Sequence, residues 1–556
     1  MPAITLSAKR MSKLIGTDLK VESLSEYVSR LGMSVEEVGD ESLKVEYNPN
    51  RPDFSTAVGI ARALKGIMGI EKGLPRCSAR RSGYRVVVKR SVKSVRPWIG
   101  ALVVDLREGL SEEDLVEVIA MQEDLHWILG RNRRKVAIGF HDVKDVTFPL
   151  SYTAVGLDSV EFVPLKADRR MTPREVLRVT EQGARYGHIL GGSRRVPVII
   201  DAKGNVISFP PIINSNLTEV TTGTKRIFVD VTGTDLNLVD KTISIIAAHF
   251  SDLEGRLSQV KIIDDGKVRY SPDLSPEVWR VEPNYLISLL GVEPNTSEVV
   301  DALKRMRLGV RRLRGGRLEV LVPPYRADVL HPVDFAEELA IGLGYDTLAP
   351  EMPASFRPSG LLLETLINRK IKEVMTGLGF TEVVNTTLSN RDDEFTKLLL
   401  DDDGSIKIVN PVSRDYDTLR RRLLPSLLGT LKNNKHHPYP QRFFEVGDAF
   451  TVDETIPERV RRSPSLCCVI SHSSATYSEV YSVLDELCRF VNSDVRPVEE
   501  DFRFFIPGRG VALTLDGVKI GWMGEIHPNV LENFELSMPV ATFELSLGHL
   551  IKRPVP

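Results

Sequence analysis

The chain has 556 residues, a length that predicts about three to five domains and excludes a single compact module. Its 73 Lys and Arg nearly balance 75 Asp and Glu, and the formal charge of −2 excludes both a histone-like basic protein and an acidic disordered tail protein. There are four cysteines with no C-x-x-C pair, and no apolar stretch of about 18 residues. We therefore predict no disulfide framework, zinc knuckle or membrane helix, and expect a reduced, cytosolic protein.

The first predicted module, residues 1–78, contains a pattern that returns late in the chain, at residues 269–350. Each copy has a short helix that ends at a glycine, a strand-like apolar run, a Pro-rich turn of the form P-x-R-x-D and an amphipathic helix. The matching turn residues stand 275 positions apart: Pro49 and Pro324, Arg51 and Arg326, Asp53 and Asp328. The sequence thus predicts two related small α+β modules, a duplication rather than a solenoid because the period is too long.

Between the two modules, residues 79–268 are rich in short alternating runs such as RVVVKR, KVAIGF and RIFVDVTG, which predict a β-rich α+β domain. After a Pro-rich linker at 351–360, apolar residues at helical spacing predict a helix over 362–379, with Gly379 as its cap. A strand is predicted at 380–388, and later runs predict an antiparallel sheet with helices over 358–556. The predicted fold class is therefore α+β and multidomain.

Basic residues are clustered although the total charge is close to zero. Residues 79–96 and 302–318 each hold seven Lys or Arg and no acid, residues 131–135 read RNRRK, and residues 420–422 are all arginine. Any one such run is more often a solvated basic face than a binding site. Several of them in one neutral protein favour a polyanionic partner such as a nucleic acid.

The strongest local cluster in the second module is acidic and consists of Asp328, Asp334, Glu337 and Glu338. The last three stand at i, i+3 and i+4 and share one region of a helix surface, and hard oxygen ligands suit Mg²⁺ better than Zn²⁺. The same spacing also fits Asp334 as a helix N-cap with Glu337 completing a capping box. The equivalent positions of the first module are Asp53, Gly59, Arg62 and Ala63. The shared turn aspartate is therefore predicted to be structural, and the three extra acids are the specialised feature.

Seven segments carry a family resemblance. In chain order they are NPNRPD, GIARAL, RKVAIGFHD, FPPIINS, VDVTGTD, PPYRADVLHPVDFAEELAIGLGYD and NPVSRDYDTLRRRLLPSLL. Together they resemble the β subunit of phenylalanyl-tRNA synthetase, of the shorter archaeal and eukaryotic type, over nearly the whole chain. The resemblance implies an (αβ)₂ complex in which a catalytic α subunit binds phenylalanine and ATP and charges tRNA(Phe). It implies that the β subunit contributes an editing site, tRNA contacts and an inactive synthetase-like domain.

The resemblance also assigns roles to domains and residues. It makes residues 79–268 a tRNA-editing domain, 269–350 a B5-type module and 358–556 a catalytically inactive class II synthetase-like domain. The four acids become Mg²⁺ ligands shared with the α subunit, and the candidates for the pocket that hydrolyses Tyr-tRNA(Phe) are Ser208, Asn214, Asp230 and Thr232. His141 and Asp142 are weaker pocket candidates, and turn chemistry in DVTGTD is the alternative explanation for Asp230 and Thr232.

The predicted synthetase-like domain departs from an active class II enzyme. Residues 363–388 resemble motif 1, and RRRLLPSLL with RFFEVG resembles motif 2, but the last strand reads FELSLGHLIKRP without a G-x-G-x-x-R signature. ATP phosphates then lack an arginine clamp, so we predict that this chain alone does not activate phenylalanine. Two alternatives stay open: a non-enzymatic RNA-binding assembly subunit with a decayed editing pocket, and a Mg²⁺-dependent phosphohydrolase that uses the acidic cluster.

Overall fold

The computed structural model describes residues 2–352, 358–402 and 404–549. The chain divides into two compact units, Met1–Met352 and Pro353–Pro556, and the fold is mixed α+β and multidomain. The middle of the predicted linker (353–357) and the last residues of FELSLGHLIKRP (550–554) lie outside the described residues. We find no helix in the described ranges whose length and hydropathy would let it cross a bilayer. All four cysteines are free, as predicted.

The chain begins with a three-stranded sheet covered by helices, within the first predicted module. Its strands are β1 (Ala3–Ser7), β2 (Ser34–Val38) and β3 (Ser42–Glu46), and its helices are α1 (Ala8–Ile15), α2 (Val21–Arg30) and α3 (Ala57–Ile67). The spatial order is β1-β3-β2, with antiparallel pairs. Thr56 caps α3 by accepting a hydrogen bond from the backbone of Gly59, which fixes the point where the chain leaves the turn.

A ten-stranded sheet follows. Its strands are β4 (Ala79–Val88), β5 (Trp98–Asp105), β6 (Val136–Asp142), β7 (Leu150–Gly156), β8 (Arg195–Ile200), β9 (Val206–Phe209), β10 (Ile213–Asn214), β11 (Arg226–Gly233), β12 (Arg256–Asp264) and β13 (Lys267–Ser271). Four helices accompany it: α4 (Glu112–Ile128), α5 (Pro173–Val179), α6 (Glu181–Tyr186) and α7 (Leu236–Asp252). The strand order is β10-β9-β8-β7-β4-β12-β5-β11-β6, with β13 paired to β12. Strand β6 is therefore an edge, and α4 and α7 share a core with it and its neighbour β11.

The second predicted module repeats the first. Its elements are β14 (Glu277–Val281), α8 (Pro283–Leu290), α9 (Thr296–Arg305), β15 (Gly309–Arg312), β16 (Leu318–Val322) and α10 (Asp334–Leu343), and the sheet order is β14-β16-β15. Apolar residues of both modules, including Leu6, Leu64, Leu303 and Leu339, belong to one continuous core. The approach is close, because a Cβ on Gly66 of α3 would overlap the carbonyl oxygen of Arg305.

The second unit contains a seven-stranded sheet and a two-stranded one. Its strands are β17 (Thr381–Glu382), β18 (Leu388–Ser389), β19 (Thr418–Leu419), β20 (Gln441–Val452), β21 (Val460–Ser471), β22 (Val495–Glu499), β23 (Phe505–Leu515), β24 (Val518–Ile526) and β25 (Val540–Ser546). Its helices are α11 (Leu363–Gly377), α12 (Arg391–Glu394), α13 (Leu424–Asn434), α14 (Tyr477–Phe490) and α15 (Pro528–Asn533). The larger sheet runs β17-β20-β21-β25-β24-β23-β22 and is antiparallel except for the pair β17–β20.

One predicted strand of this unit is mostly irregular. Residues 380–388 contribute only the two-residue strand β17 and the first residue of β18. Between them, Val384 points into solvent and Asn385 donates a side-chain hydrogen bond to Glu445 of β20. Helix α11 forms as predicted, with Ile367, Ile371 and Val374 buried.

Candidate functional site

A cavity of about 550 Å³ lies beside the edge strand β6. Helix α4 supplies apolar side chains such as Leu115 and Val118, and the segment 210–214 supplies a second wall. Ser208, Asn214 and Asp230 contribute polar groups to the same lining. An apolar cavity of this size with a few converging polar groups is typical of a small-molecule or substrate site.

A buried histidine, His141, holds the carboxylate of Asp230 in place. The residue is 1% exposed and stands opposite Gly139 in the pairing of β11 with β6. Its Oδ1 is 2.7 Å from Nε2 of His141, and Nδ1 of His141 is 2.8 Å from the hydroxyl of Thr218. Among the described residues no protein group bonds the other carboxylate oxygen, Oδ2. Because both ring nitrogens of His141 have partners, the line Thr218–His141–Asp230 fixes the carboxylate and leaves one oxygen available.

Gly139 makes room for this arrangement. A Cβ at this position would overlap Oδ1 of Asp230 and would stand 2.6 Å from Nε2 of His141 and 3.2 Å from Oδ1 of Asn214. Real side chains do not approach so closely, so any larger residue would displace at least one of the three groups. Sequence reasoning missed Gly139 and Thr218, since a glycine inside a strand and an isolated threonine give no specific signal.

Ser208 and Asn214 form a second fixed pair on neighbouring strands. The Ser208 hydroxyl donates to Oδ1 of Asn214 at 3.0 Å, and Nδ2 of Asn214 donates to the carbonyl of Phe140 at 3.3 Å. The two residues face each other in the β9–β10 pairing. The structure thus brings three of the four predicted pocket residues to one cavity, with the orientation of the Asn214 amide set by its contacts.

Thr232 and Asp142 lie away from the lining. Nε of Arg96 donates to the Thr232 hydroxyl at 3.0 Å, and Nη2 donates to the Thr232 carbonyl at 2.8 Å. Burial lowers the pKa of Arg96 to about 10. Asp142 accepts hydrogen bonds from the backbone of Lys144 and the hydroxyl of Thr224, which is the turn role rather than a cavity role.

The far wall of the cavity is fastened by charged groups near the end of α4. Arg133 donates to the carbonyl of Ile212 at 3.1 Å and to Glu123 at 2.8 Å, and it stacks on Tyr186. His126 Nε2 accepts from the backbone of Ile138, and burial lowers the pKa of His126 to about 4, so the ring is neutral at physiological pH. A hydrogen bond from His126, followed by the charge of Arg133, lowers the pKa of Glu123 to about 2. Of these charged groups, Arg133 alone belongs to a segment that the sequence singles out, the basic run RNRRK.

The four acids predicted as metal ligands do not converge on one point of this chain. Arg326, 1% exposed, pairs with Asp328 through Nε at 2.8 Å and with Glu338 through Nη1 at 3.0 Å and Nη2 at 2.7 Å. Asp334 accepts from the backbone N–H groups of Leu330 and His331 at 2.7 Å. Glu337 is exposed. Within the described ranges no group of three His, Cys, Asp or Glu is arranged to hold a metal ion.

The capping box, the alternative prediction for Asp334 and Glu337, does not form either. Helix α10 begins at Asp334, its N-cap is Val333 without a side-chain hydrogen bond, and Asp334 closes the preceding turn. Burial alone would lower the pKa of Arg326, but the charges of Glu338 and Asp328 outweigh it and hold that pKa well above its usual value. Burial likewise opposes ionisation of Asp328, yet Arg326 keeps the pKa of Asp328 below its usual value. These residues, taken on this chain alone, do not fit a complete Mg²⁺ site.

In the second unit, carboxylates of the chain itself bond at and next to the arginine cluster, residues 420–422. Arg420 is buried and donates to Glu445 at 2.6 Å and to the carbonyl of Asp448 at 2.8 Å. At the start of α13, the Glu544 carboxyl accepts from the backbone N–H groups of Leu423 and Leu424 at 3.1 Å. Burial raises the pKa of Glu544 to about 7. A helix N-terminus is an anion site, and here the protein's own carboxyl fills it.

Comparisons with known proteins agree on one assignment. A family model described as tRNA synthetase B5 domain matches residues 4–61 and 279–345, so it matches both repeat copies. A second, described as phenylalanyl tRNA synthetase beta chain CLM domain, matches residues 349–547. The phenylalanine–tRNA ligase beta subunit of Archaeoglobus fulgidus is 40% identical over 552 residues, covering 99% of this chain and 98% of that protein. The same subunit of Methanothrix thermoacetophila is 39% identical over 555 residues, covering 99% and 100%.

A solved structure is also similar. It is an N-terminal fragment of the phenylalanyl-tRNA synthetase beta subunit from Pyrococcus horikoshii, with a TM-score of 0.59 and 33% identity. The match covers 61% of this chain and 99% of that one. These matches define the class of protein, a component of an aminoacyl-tRNA synthetase. Within that class, the chain belongs to the family of phenylalanine–tRNA ligase β subunits, which confirms the resemblance read from its sequence.

Proposed function

We propose that the cavity beside β6 hydrolyses mischarged Tyr-tRNA(Phe), while the chain supports ATP-dependent attachment of phenylalanine to tRNA(Phe) by a separate catalytic α subunit. The observation that carries the editing proposal is the pocket-facing carboxylate of Asp230, held by His141 and accompanied by Ser208 and Asn214. The family membership supports the synthetase role, and the cavity supports the hydrolytic one.

The reaction needs few groups. Water adds to the ester carbonyl carbon, the bond to the terminal ribose oxygen breaks, and the water proton ends on that oxygen. A carboxylate with one committed oxygen and one available oxygen can accept a proton from the attacking water or a hydrogen bond from the tyrosine hydroxyl. Thr232, which contacts Arg96 and not the cavity, acts in this proposal by holding β11 in place.

Selectivity for tyrosine has a physical basis. Tyrosine differs from phenylalanine by one hydroxyl, and an apolar pocket rejects such an analogue by only about 10²-fold. A second site that hydrogen-bonds the hydroxyl can discriminate by far more, because phenylalanine would leave its polar groups unpaired. The paired amide of Asn214 and the carboxylate of Asp230 are the groups suited to that task.

The partners follow from the same proposal. The α subunit, in an (αβ)₂ assembly, binds phenylalanine and ATP, and tRNA(Phe) contacts both subunits. The buried pairs Arg420–Glu445 and Glu544 with the start of α13 support the lack of amino-acid activation by this chain. We propose the domain division 1–78, first module; 79–268, editing domain; 269–350, B5-type module; and 358–556, inactive synthetase-like domain.

Magnesium is proposed only for a site that the partner completes. Glu337 is exposed and Asp334 has one oxygen engaged with backbone, so these two can still offer oxygens to a shared ion. Asp328 and Glu338 are neutralised by Arg326 and would support the site rather than ligate. Calorimetry with Mg²⁺ should therefore detect no binding to the isolated chain and should detect a site in the complex that Glu337→Gln weakens.

The deciding experiment measures tyrosine release from Tyr-tRNA(Phe) and phenylalanine charging, each with and without the α subunit. Asp230→Ala should reduce tyrosine release at least ~100-fold and leave charging unchanged. Asp142→Ala is the matched control, because this neighbouring acid, the last residue of β6, bonds the turn that follows the strand and lies outside the cavity lining. Absence of tyrosine release by the unmodified chain would favour the assembly-subunit alternative, and full release by Asp230→Ala would contradict the role given to Asp230. ATP activation by the chain alone would contradict the inactive domain. The phosphohydrolase alternative loses two of its four acids, since Arg326 neutralises Asp328 and Glu338.

A further inference from the structure

The end of helix α4 carries an exposed apolar stripe that the cavity chemistry does not use. Val116 is 64% exposed, Ile119 is 52% exposed and Trp127 is 50% exposed. The three stand at i, i+3 and i+11, which places them along one face of the helix. In the described part of the chain no other ring or cation stacks on Trp127. A half-exposed indole on such a stripe marks a surface with a binding partner.

The stripe runs along the rim of the cavity. Ile119 and Glu123 line the cavity and are also half-exposed, so they form its edge. Trp127 follows Glu123 by one helical turn on the same face. Trp127 is therefore the next residue of this face beyond the lining, and its sequence neighbour His126 and the nearby Arg133 both line the cavity.

The turn that follows the helix is basic and held in an unusual conformation. Arg131, Asn132 and Arg133 have φ values of 46°, 54° and 66°, three consecutive non-glycine residues in the left-handed region. This region is unfavourable for L residues, and such strain is concentrated at ligand-binding sites. Arg133 is anchored by Glu123, whereas Arg131 and Arg134 are exposed, and no acidic side chain pairs with either of them among the described residues.

We propose that Trp127, Arg131 and Arg134, which we term the RNA ledge, bind the single-stranded 3′ end of the tRNA as its aminoacyl ester enters the cavity. The inference rests on the proposed editing function, because that function places the ester at the end of an RNA strand. Trp127 stacks on a base, and such stacking does not depend on which base is present. The two arginines neutralise phosphates. Aromatic and unpaired basic groups side by side at a cavity rim fit a polynucleotide better than a protein surface.

The test uses the full chain, alone and with its α subunit. Trp127→Ala should raise the KM for Tyr-tRNA(Phe) deacylation about tenfold with little change in kcat, and Trp127→Tyr should retain most of the binding. Hydrolysis of tyrosine methyl ester, which has neither base nor phosphate, should not change. Arg131→Gln should reduce the slope of log Kd against log salt for a single-stranded RNA tetranucleotide by about 0.7.

A direct binding signal separates this inference from the editing proposal. The tetranucleotide should quench the fluorescence that Trp127→Phe removes, whether or not Asp230→Ala still deacylates. If the unmodified chain releases no tyrosine while quenching occurs, the editing proposal fails and the RNA ledge stands. Arg107→Glu is the charge control and should have no effect. Arg107 precedes the start of α4, a helix about 25 Å long, whereas Trp127 lies at its end.

Two results would overturn the inference. One is unchanged tetranucleotide binding and an unchanged KM in both Trp127→Ala and the double variant Arg131→Glu/Arg134→Glu, with thermal unfolding like that of the unmodified chain. The other is loss of copurification with the α subunit in these variants while RNA binding persists, because the stripe would then be a protein contact.

Discussion

Asp230 reaches the cavity with one carboxylate oxygen bonded to His141 and the other without a partner among the described residues. Its partner His141 is fully buried and is itself held by Thr218, so three residues from separate elements keep one oxygen in a fixed place. A carboxylate positioned in this way loses little conformational freedom when it binds a water or a hydroxyl. The geometry depends on the space above Gly139, where a methyl group would meet Asp230, His141 and Asn214 together.

Gly139→Ala should therefore lower Tyr-tRNA(Phe) deacylation at least ~10-fold and destabilise the chain by about 1–3 kcal/mol through overpacking. Charging of phenylalanine in the presence of the α subunit should be unchanged. Gly83→Ala is the matched control, because Gly83 lies in strand β4 of the same sheet and a Cβ there meets nothing within 4 Å. Wild-type deacylation by Gly139→Ala would contradict the assigned position of Asp230.

The pocket residues show how far sequence reasoning reaches at this scale. Ser208, Asn214 and Asp230 could be predicted only through the family resemblance of the segments FPPIINS and VDVTGTD, because local turn chemistry alone favours a turn role for Asp230. Thr232 shares the face of β11 with Asp230, yet the buried Arg96 covers it, and that contact spans 136 residues of chain. The sequence predicts Arg326 only as a residue of the repeated turn. No local pattern indicates that it pairs with Glu338, twelve residues away.

The start of helix α13 is capped by the carboxyl group of a distant residue, which can be protonated, rather than by a side chain next to the helix. Its first N–H groups are satisfied by Glu544 from β25, and Glu394, whose pKa burial also raises, lies close by. Leu424, Leu427, Leu428 and Leu431 form its buried face at helical spacing. Such spacing cannot predict the cap, because Glu544 is more than one hundred residues further along the chain.

The buried Glu544 makes the second unit less stable as pH rises. Its pKa is about 7 in the folded chain and 4.5 ordinarily, so the folded state holds a proton that the unfolded state releases between these values. The stabilisation is complete below about pH 4.5 and is lost as pH rises to 7, a difference of roughly 3 kcal/mol. Hydrogen exchange of α13 amides, corrected for intrinsic rates, should report it. Glu544→Gln should flatten most of this dependence, and the exposed Glu532→Gln should not.

At the scale of the molecule, duplication has produced one core from two modules. The repeats have the same strand order, and their apolar faces pack together although nearly two hundred residues of the ten-stranded sheet domain separate them in sequence. The sequence predicts each module, but it cannot predict the shared core, because periodicity identifies an apolar face and not its neighbour. A structure has been solved for an N-terminal fragment of the Pyrococcus horikoshii subunit, and this fragment matches 61% of the chain.

A fragment of residues 2–352 should therefore fold alone, whereas residues 1–78 should not. In the short fragment, helix α3 loses the apolar surface that α9 of the second module supplies, and each large side chain left exposed forfeits about 1.5–3 kcal/mol. That loss exceeds what a domain of fewer than 80 residues can sustain. Urea unfolding followed by circular dichroism should show a cooperative transition for residues 2–352 and none for residues 1–78. A cooperative transition in the short fragment would mean that each repeat has its own sufficient core and that the duplicated modules pack together for function rather than for stability.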